Sequence, residues 1–171
     1  ALRFGPLGIT ANMQALWACL DDQMIELTLP FIGEERAGWQ YPFGALHGSG
    51  ASLAAGSDWP VSSPDPFAAL HVAVNRTAYG EDGPAGSQPF LPAQSLDLET
   101  AFAAYTSGSA RVCHRDGAGG LAAGSVADLV AASWPGTMVG REDRLVELGM
   151  ARMAFLVAVR PGAVPTPDAA S

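Results

Sequence analysis

The 171-residue chain has no lysine: its nine basic residues are all arginines, set against seventeen acidic ones, for a formal net charge of -8. Without lysine this polypeptide cannot supply Schiff-base chemistry or a carboxylated-lysine metal bridge. Basic clusters are missing too, which argues against nucleic acid and anionic membranes as partners. Only two cysteines occur, Cys19 and Cys113, far apart and outside any Cys-x-x-Cys spacing. That argues against a disulfide framework and a cysteine-based zinc site, and leaves both as small hydrophobic side chains expected to be buried. No apolar run approaches the ~20 residues a membrane span needs. The opening residues Ala1-Leu2-Arg3-Phe4-Gly5 lack the charged-then-apolar layout of a signal peptide. The expected location is a soluble, reducing compartment, the cytoplasm.

What is present is core material. Hydrophobic residues make up 49% of the chain, enough for one domain of this length. The most informative stretch is Gly56-Ser57-Asp58-Trp59-Pro60-Val61, which follows the small apolar run Ala51-Ser52-Leu53-Ala54-Ala55. An apolar run ending in Gly-Ser-Asp reads as a buried strand that carries one carboxylate to its C-terminal tip. In an α/β barrel, chemistry is done at such tips. Taken alone, an aspartate there is more often a turn former or a helix cap. Ser57 has no evident histidine partner, and Gly-Ser-Asp is not a nucleophile elbow.

Around that stretch the chain alternates between strand and helix signals. Residues 9–14 form a short strand candidate after Gly/Pro punctuation. Ala15 to Ile25 reads as a loop with a helical turn, its Asp21-Asp22 pair solvated. Residues 33–36 and 39–43 read as a surface connection, and Pro42 to His47 as a short helix. Asp65-Pro66-Phe67 is a helix start, with Asp as N-cap and Pro at the first helical position. Phe67, Leu70, Val74 and Thr77 fall on one face of that helix, and Arg76 ends it, where a cation suits the helix dipole. Tyr79 to Gln94 is a long Gly/Pro/Ser-rich loop. A helix opens at Ser95–Glu99, Thr106–Gly108 interrupts it, and a second short helix covers 109–113. Strands are expected over 126–132, 144–148 and 151–159. The Pro/Ala-rich tail from Pro161 is expected to be disordered.

Several of these segments resemble consecutive blocks of the amidohydrolase superfamily, in the same order. They are Leu7–Gln14, Gly50–Val61, Ala73–Arg76, Leu98–Thr106 with Ser109-Ala110, and Gly119–Val130. The nearest branch is amidohydrolase family 3, which includes the N-substituted formamide deformylases. The resemblance implies an α/β fold: the last two strands and helices of a metal-dependent (β/α)8 TIM barrel, followed by part of a small β-sandwich. Residues 1–115 would then be barrel, 116–160 sandwich and 161–171 a disordered tail. Residues 9–14 would be the seventh barrel strand and 51–57 the eighth.

The resemblance also implies site residues. Asp58 matches the aspartate at the end of strand eight, which contacts the metal or its bound water and takes a proton from the attacking water. The cofactor it implies is a divalent metal, zinc by expectation. Asn12 and Gln14 would line a substrate pocket at the tip of strand seven, or else satisfy backbone groups there. Trp59 would wall that pocket, or else sit in the core.

The family's His-x-His on strand one, the bridging residue on strand four and the histidines on strands five and six have no counterpart here. His47, His71 and His114 fall on helices and do not fill those roles. Catalysis would therefore need an N-terminal polypeptide, or self-association, to complete the barrel around a small-molecule substrate. The competing reading is a non-catalytic chain serving as a structural or protein-interaction module, with exposed strand edges.

Overall fold

In the computed structural model, the described residues are 1, 3–79, 88–115, 117–120, 122–123, 130–132 and 155–157. Two short strands, β1 (Thr10–Met13) and β2 (Ser52–Ala55), lie side by side. They are parallel, with Thr10 opposite Ser52 and Met13 opposite Ala55. Parallel neighbours need a crossover between them, usually helical. Here it holds a 3-10 turn (Ala15–Trp17), a π-helix (Gln23–Thr28), and helices α1 (Leu29–Ala37) and α2 (Phe43–Gly48). Residues 34–36, expected as surface connection, lie at the surface but are helical. Gly33, at φ 77°, puts a kink inside α1 where a residue with a Cβ would be strained. None of α1 is buried, so its sequence carries no apolar face that would have marked it as a helix.

Beyond β2 comes α3 (Pro66–Asn75), whose start follows the sequence: Asp65 caps it by accepting from the Phe67 amide at 2.9 Å. Its buried residues are Ala68, Ala69, Leu70, Val72 and Ala73. The expected stripe of Phe67, Leu70, Val74 and Thr77 is therefore displaced. Small alanines let α3 pack closely against its neighbours, while Phe67 and Val74 are only half-buried at the edge of the core. Asp97 caps α4 (Leu98–Ala103) by accepting from the Thr100 amide at 2.8 Å. Thr106–Gly108 does not interrupt the chain as expected. It belongs to a π-helix (Ala104–Gly108) that runs on into α5 (Ser109–Val112).

That π segment has a distinct position. In β2, Gly56 donates to the Met13 carbonyl at 3.0 Å, so the backbone groups of Leu53 and Ala55 point away from β1. Ser109 Oγ donates to the Ala55 carbonyl at 2.8 Å and lies 3.4 Å from the Ala55 amide. A Cβ on Gly108 would collide with the Leu53 carbonyl oxygen and stand 3.1 Å from its carbon. The 104–109 segment thus covers the edge of β2, which the interaction-module reading expects to be exposed. Among the described residues, β1 pairs with β2 alone.

The core sits where α3 and α4 meet the strands and the 3-10 turn. It includes Met13, Ala15, Phe43, Leu53, Leu70, Leu96 and Ala104. Arg76 joins it unexpectedly: it is fully buried, at φ 60° just past α3. Its Nε donates to the Phe90 carbonyl at 2.8 Å, while the Phe90 amide donates to the Arg76 carbonyl at 2.8 Å. The guanidinium lies over the rings of Phe43 and Phe90. Burial lowers its pKa to about 10. Its sequence role at a helix end holds, but it serves as an interior clasp and not as a solvated cation.

Of the two cysteines expected to be buried, Cys19 is and Cys113 is exposed. A second pair, β3 (Val130–Ala132) and β4 (Phe155–Val157), is antiparallel, with Ala131 opposite Leu156. These fall inside two of the expected strands. Residues 124–129, Asp128 among them, the expected strand at 144–148 and the tail from Pro161 lie outside the described residues. No described helix is long and apolar enough to cross a membrane.

Candidate functional site

The C-terminal ends of β1 and β2 lead into the segments that carry the candidate residues. Asp58 stands three residues past Ala55, exposed, at φ 54°. Aspartate is among the few L residues that accept such a backbone. The turn around it is tightly bonded. Ser57 Oγ accepts from the Trp59 amide at 3.2 Å, the Asp58 carbonyl accepts from the Val61 amide at 2.9 Å, and the Ser62 hydroxyl donates to the Ser57 carbonyl. The Trp59–Pro60 peptide is cis.

Asp58 therefore has a turn-forming backbone. It is not a helix cap, because Asp65 and Asp97 fill those positions with short bonds to backbone amides. Its side chain is left free among the described residues, projecting from the end of β2. Trp59 is 67% exposed. Asn12 is exposed on β1, between the buried Ala11 and Met13. It points to the face of the sheet opposite the helix-packed core. Gln14 is half-buried and leads into the 3-10 turn, its carbonyl accepting from the Trp17 amide at 3.3 Å.

The histidines lie elsewhere. His47 and His114 are exposed. His71 is half-buried within α3, 3.1 Å from both Asn75 Nδ2 and Thr77 Oγ1. An amide nitrogen can only donate, so His71 Nδ1 accepts and Nε2 carries the proton to Thr77. Burial lowers the His71 pKa. His47 and His114 are left to solvent, whereas the His71 ring is engaged on both nitrogens.

Among the described residues, no group of three or more His, Cys, Asp or Glu side chains could hold a metal ion. Asp58 offers one oxygen donor, and a tetrahedral site takes four ligands, three of them from protein even where a position stays open. The described residues do not by themselves fit a metal centre.

A cavity of about 430 Å3 opens beside this turn, lined by Trp17, Asp21, Gln23, Met24, Thr28, Tyr41 and Val61. Its walls come from the segments following both strands. Asp21 and Asp22 are both exposed, in keeping with the solvated pair expected from the sequence. Asp21 Oδ1 also accepts from the Met24 amide at 2.7 Å and organises the start of the π-helix. The signal was an aspartate three residues before an apolar position, which is a capping spacing.

A parallel β–α–β unit with an exposed carboxylate just beyond its second strand makes this an α/β fold. Comparison with known proteins narrows this further. The amidohydrolase family profile matches residues 1–149, and the chain belongs to that family. It is 34% identical over 132 residues to the protein LONG AFTER FAR-RED 3 of Arabidopsis thaliana, covering 76% of this chain and 21% of that one. An uncharacterized metal-dependent hydrolase from Pyrococcus furiosus matches with a TM-score of 0.55 and 27% identity, over 72% of this chain and 23% of that one. One from Pyrococcus horikoshii OT3 matches at 0.54 and 30%, over 68% and 22%. The chain thus spans about a fifth of the length of the proteins it matches.

Proposed function

We propose that this chain is the C-terminal portion of a metal-dependent amidohydrolase that cleaves a non-peptide C–N bond of the amide or formamide type, in the branch of the N-substituted formamide deformylases. In this reading β1 and β2 are the last two strands of a (β/α)8 barrel. Residues 1–115 are barrel, 116–160 part of a β-sandwich and 161–171 a tail. The observation that carries it is the parallel, in-register pairing of β1 with β2. Had these segments not been neighbours, the order of barrel blocks would have had no structural meaning.

Asp58 is the catalytic residue in this reading. Its carboxylate takes a proton from the attacking water as the water oxygen bonds to the carbonyl carbon. As the C–N bond breaks, the proton passes to the departing nitrogen. Asn12, Gln14 and Trp59 face the substrate. The two Pyrococcus hydrolases are described as metal-dependent, and zinc is the ion we assign here, with Asp58 as this chain's contribution to it. The other ligands come from an N-terminal polypeptide or a second copy, in a cytoplasmic protein.

The test supplies the upstream barrel half as a separate polypeptide, with zinc, and follows hydrolysis of N-substituted formamides. Turnover in the mixture alone, lost in Asp58→Asn, is expected. Turnover that survives Asp58→Asn contradicts the assignment. A second reading, a non-catalytic structural or interaction module, draws on the exposed Phe31 and Trp39 (78% and 61%). Self-association on size exclusion, with no turnover in the mixture, would favour it.

A further inference from the structure

The cavity beside the Asp58 turn has a composition the hydrolase reading does not use. Asp21 is the one charged residue in its wall, and its partners there are Trp17, Gln23, Met24, Thr28, Tyr41 and Val61. A carboxylate can only accept hydrogen bonds, so it selects a donor and repels an anion. Aromatic rings attract cations through their faces, and two line this wall. Met24 and Val61 add apolar surface. The volume of about 430 Å3 lies within the range of small-molecule sites, roughly 300–1,000 Å3.

We propose that this cavity binds an organic cation, with an ammonium group on Asp21 and an apolar body against Trp17, Met24 and Val61. Asp21 can do this while holding the helix start, because the Met24 amide engages Oδ1 and leaves Oδ2 for a ligand. The field of Asp21 already reaches the cavity wall: after burial, its charge is the next cause that raises the pKa of the Tyr41 hydroxyl. Val61 ties the cavity to the reacting end through the hydrogen bond its amide donates to the Asp58 carbonyl. The inference deepens the hydrolase reading, on which it rests for its meaning: the substrate is a C–N compound that carries a positive charge.

The probe is 2-phenylethylamine, compared with neutral 2-phenylethanol and anionic 3-phenylpropanoate, each titrated into the whole polypeptide by ligand-observed NMR. The amine is expected to bind about two- to fivefold more tightly than the alcohol, and the acid not at all, in line with a charge pair on an exposed carboxylate. Asp21→Asn keeps an acceptor for the Met24 amide and removes the charge. It should abolish the preference for the amine while leaving the melting temperature near that of the parent. Raising NaCl to 0.5 M should weaken the amine and not the alcohol, a control that needs no variant. Equal binding of amine and alcohol, binding of the acid, or no binding of the amine overturns the proposal. None of these readouts needs metal or turnover, so a failed hydrolysis assay with intact amine preference would count against the hydrolase reading alone.

Discussion

Replacing Gly108 with alanine sets two known effects against each other. In a helix interior, Gly→Ala gains up to ~1 kcal/mol of intrinsic propensity. At Gly108 the new Cβ would overlap the Leu53 carbonyl oxygen and sit 3.1 Å from both the Leu53 carbonyl carbon and the Ala103 carbonyl oxygen. These are backbone atoms of β2 and of the helix itself, so neither can rotate away. Overpacking of this kind costs ~1–3 kcal/mol. The shift also pulls Ser109 Oγ from the Ala55 carbonyl, 2.8 Å away, losing a further ~1 kcal/mol. The clash outweighs the propensity, and a net loss of about 2 kcal/mol is expected. Gly48 supplies the control: it closes α2 with nothing within 4 Å of its would-be Cβ. Gly48→Ala should be neutral or stabilising, by up to ~1 kcal/mol. Urea unfolding followed by far-UV circular dichroism measures both. A Gly108→Ala protein as stable as the parent would refute the claim that 104–109 packs on the edge of β2.

Two further predictions concern buried polar groups. The folded pKa of His71 lies below the ordinary value, so the unfolded chain binds more protons between the folded and unfolded values. Its contribution is complete above about pH 6.5 and is lost as pH falls from there through the folded value. Melting temperature should drop between pH 7.5 and 5.5, and His71→Gln should shrink that drop; an unchanged drop contradicts the assigned hydrogen bonds. For Arg76, whose Nη1 and Nη2 have no hydrogen-bond partner among the described residues, the size of the replacement decides the outcome. Arg76→Ala opens a cavity under Phe43 and Phe90 and should cost ~2–4 kcal/mol. Arg76→Met refills most of it without a buried charge and should cost less than half as much by urea unfolding. Equal losses would mean that the charge, and not the volume, matters.

The parts legible in the sequence share a local cause. Asp65-Pro66 announced α3 because a cap and its amide lie within three residues of each other, and the Ser95–Glu99 opening marked the start of α4. Apolar β-branched or small runs flanked by glycine announced β1 and β2. What was illegible depends on long-range packing. The α1 helix shows no apolar stripe because none of it is buried, so periodicity had nothing to detect. Arg76 reads as a surface cation until Phe43 and Phe90, distant in sequence, close over it. The Thr106-Ser107-Gly108 run reads as a break because Gly, Ser and Thr favour turns. In the fold, glycine is what allows the helix to lie directly on β2. The placement of Asp58 beyond the end of β2 was legible from the strand it follows, whereas the cavity beside Asp21 was not, since its wall is assembled from residues 17 to 61.

The central claim is that this polypeptide supplies one carboxylate, Asp58, to a metal site completed by residues beyond it. The most direct measurement is the metal content of the purified 171-residue chain by elemental analysis, after dialysis against trace zinc. Well under one equivalent is predicted, identical in Asp58→Asn. Tightly held, stoichiometric zinc that Asp58→Asn or Asp58→Ala removes would contradict the account, because it would mean that a complete site assembles from this chain alone.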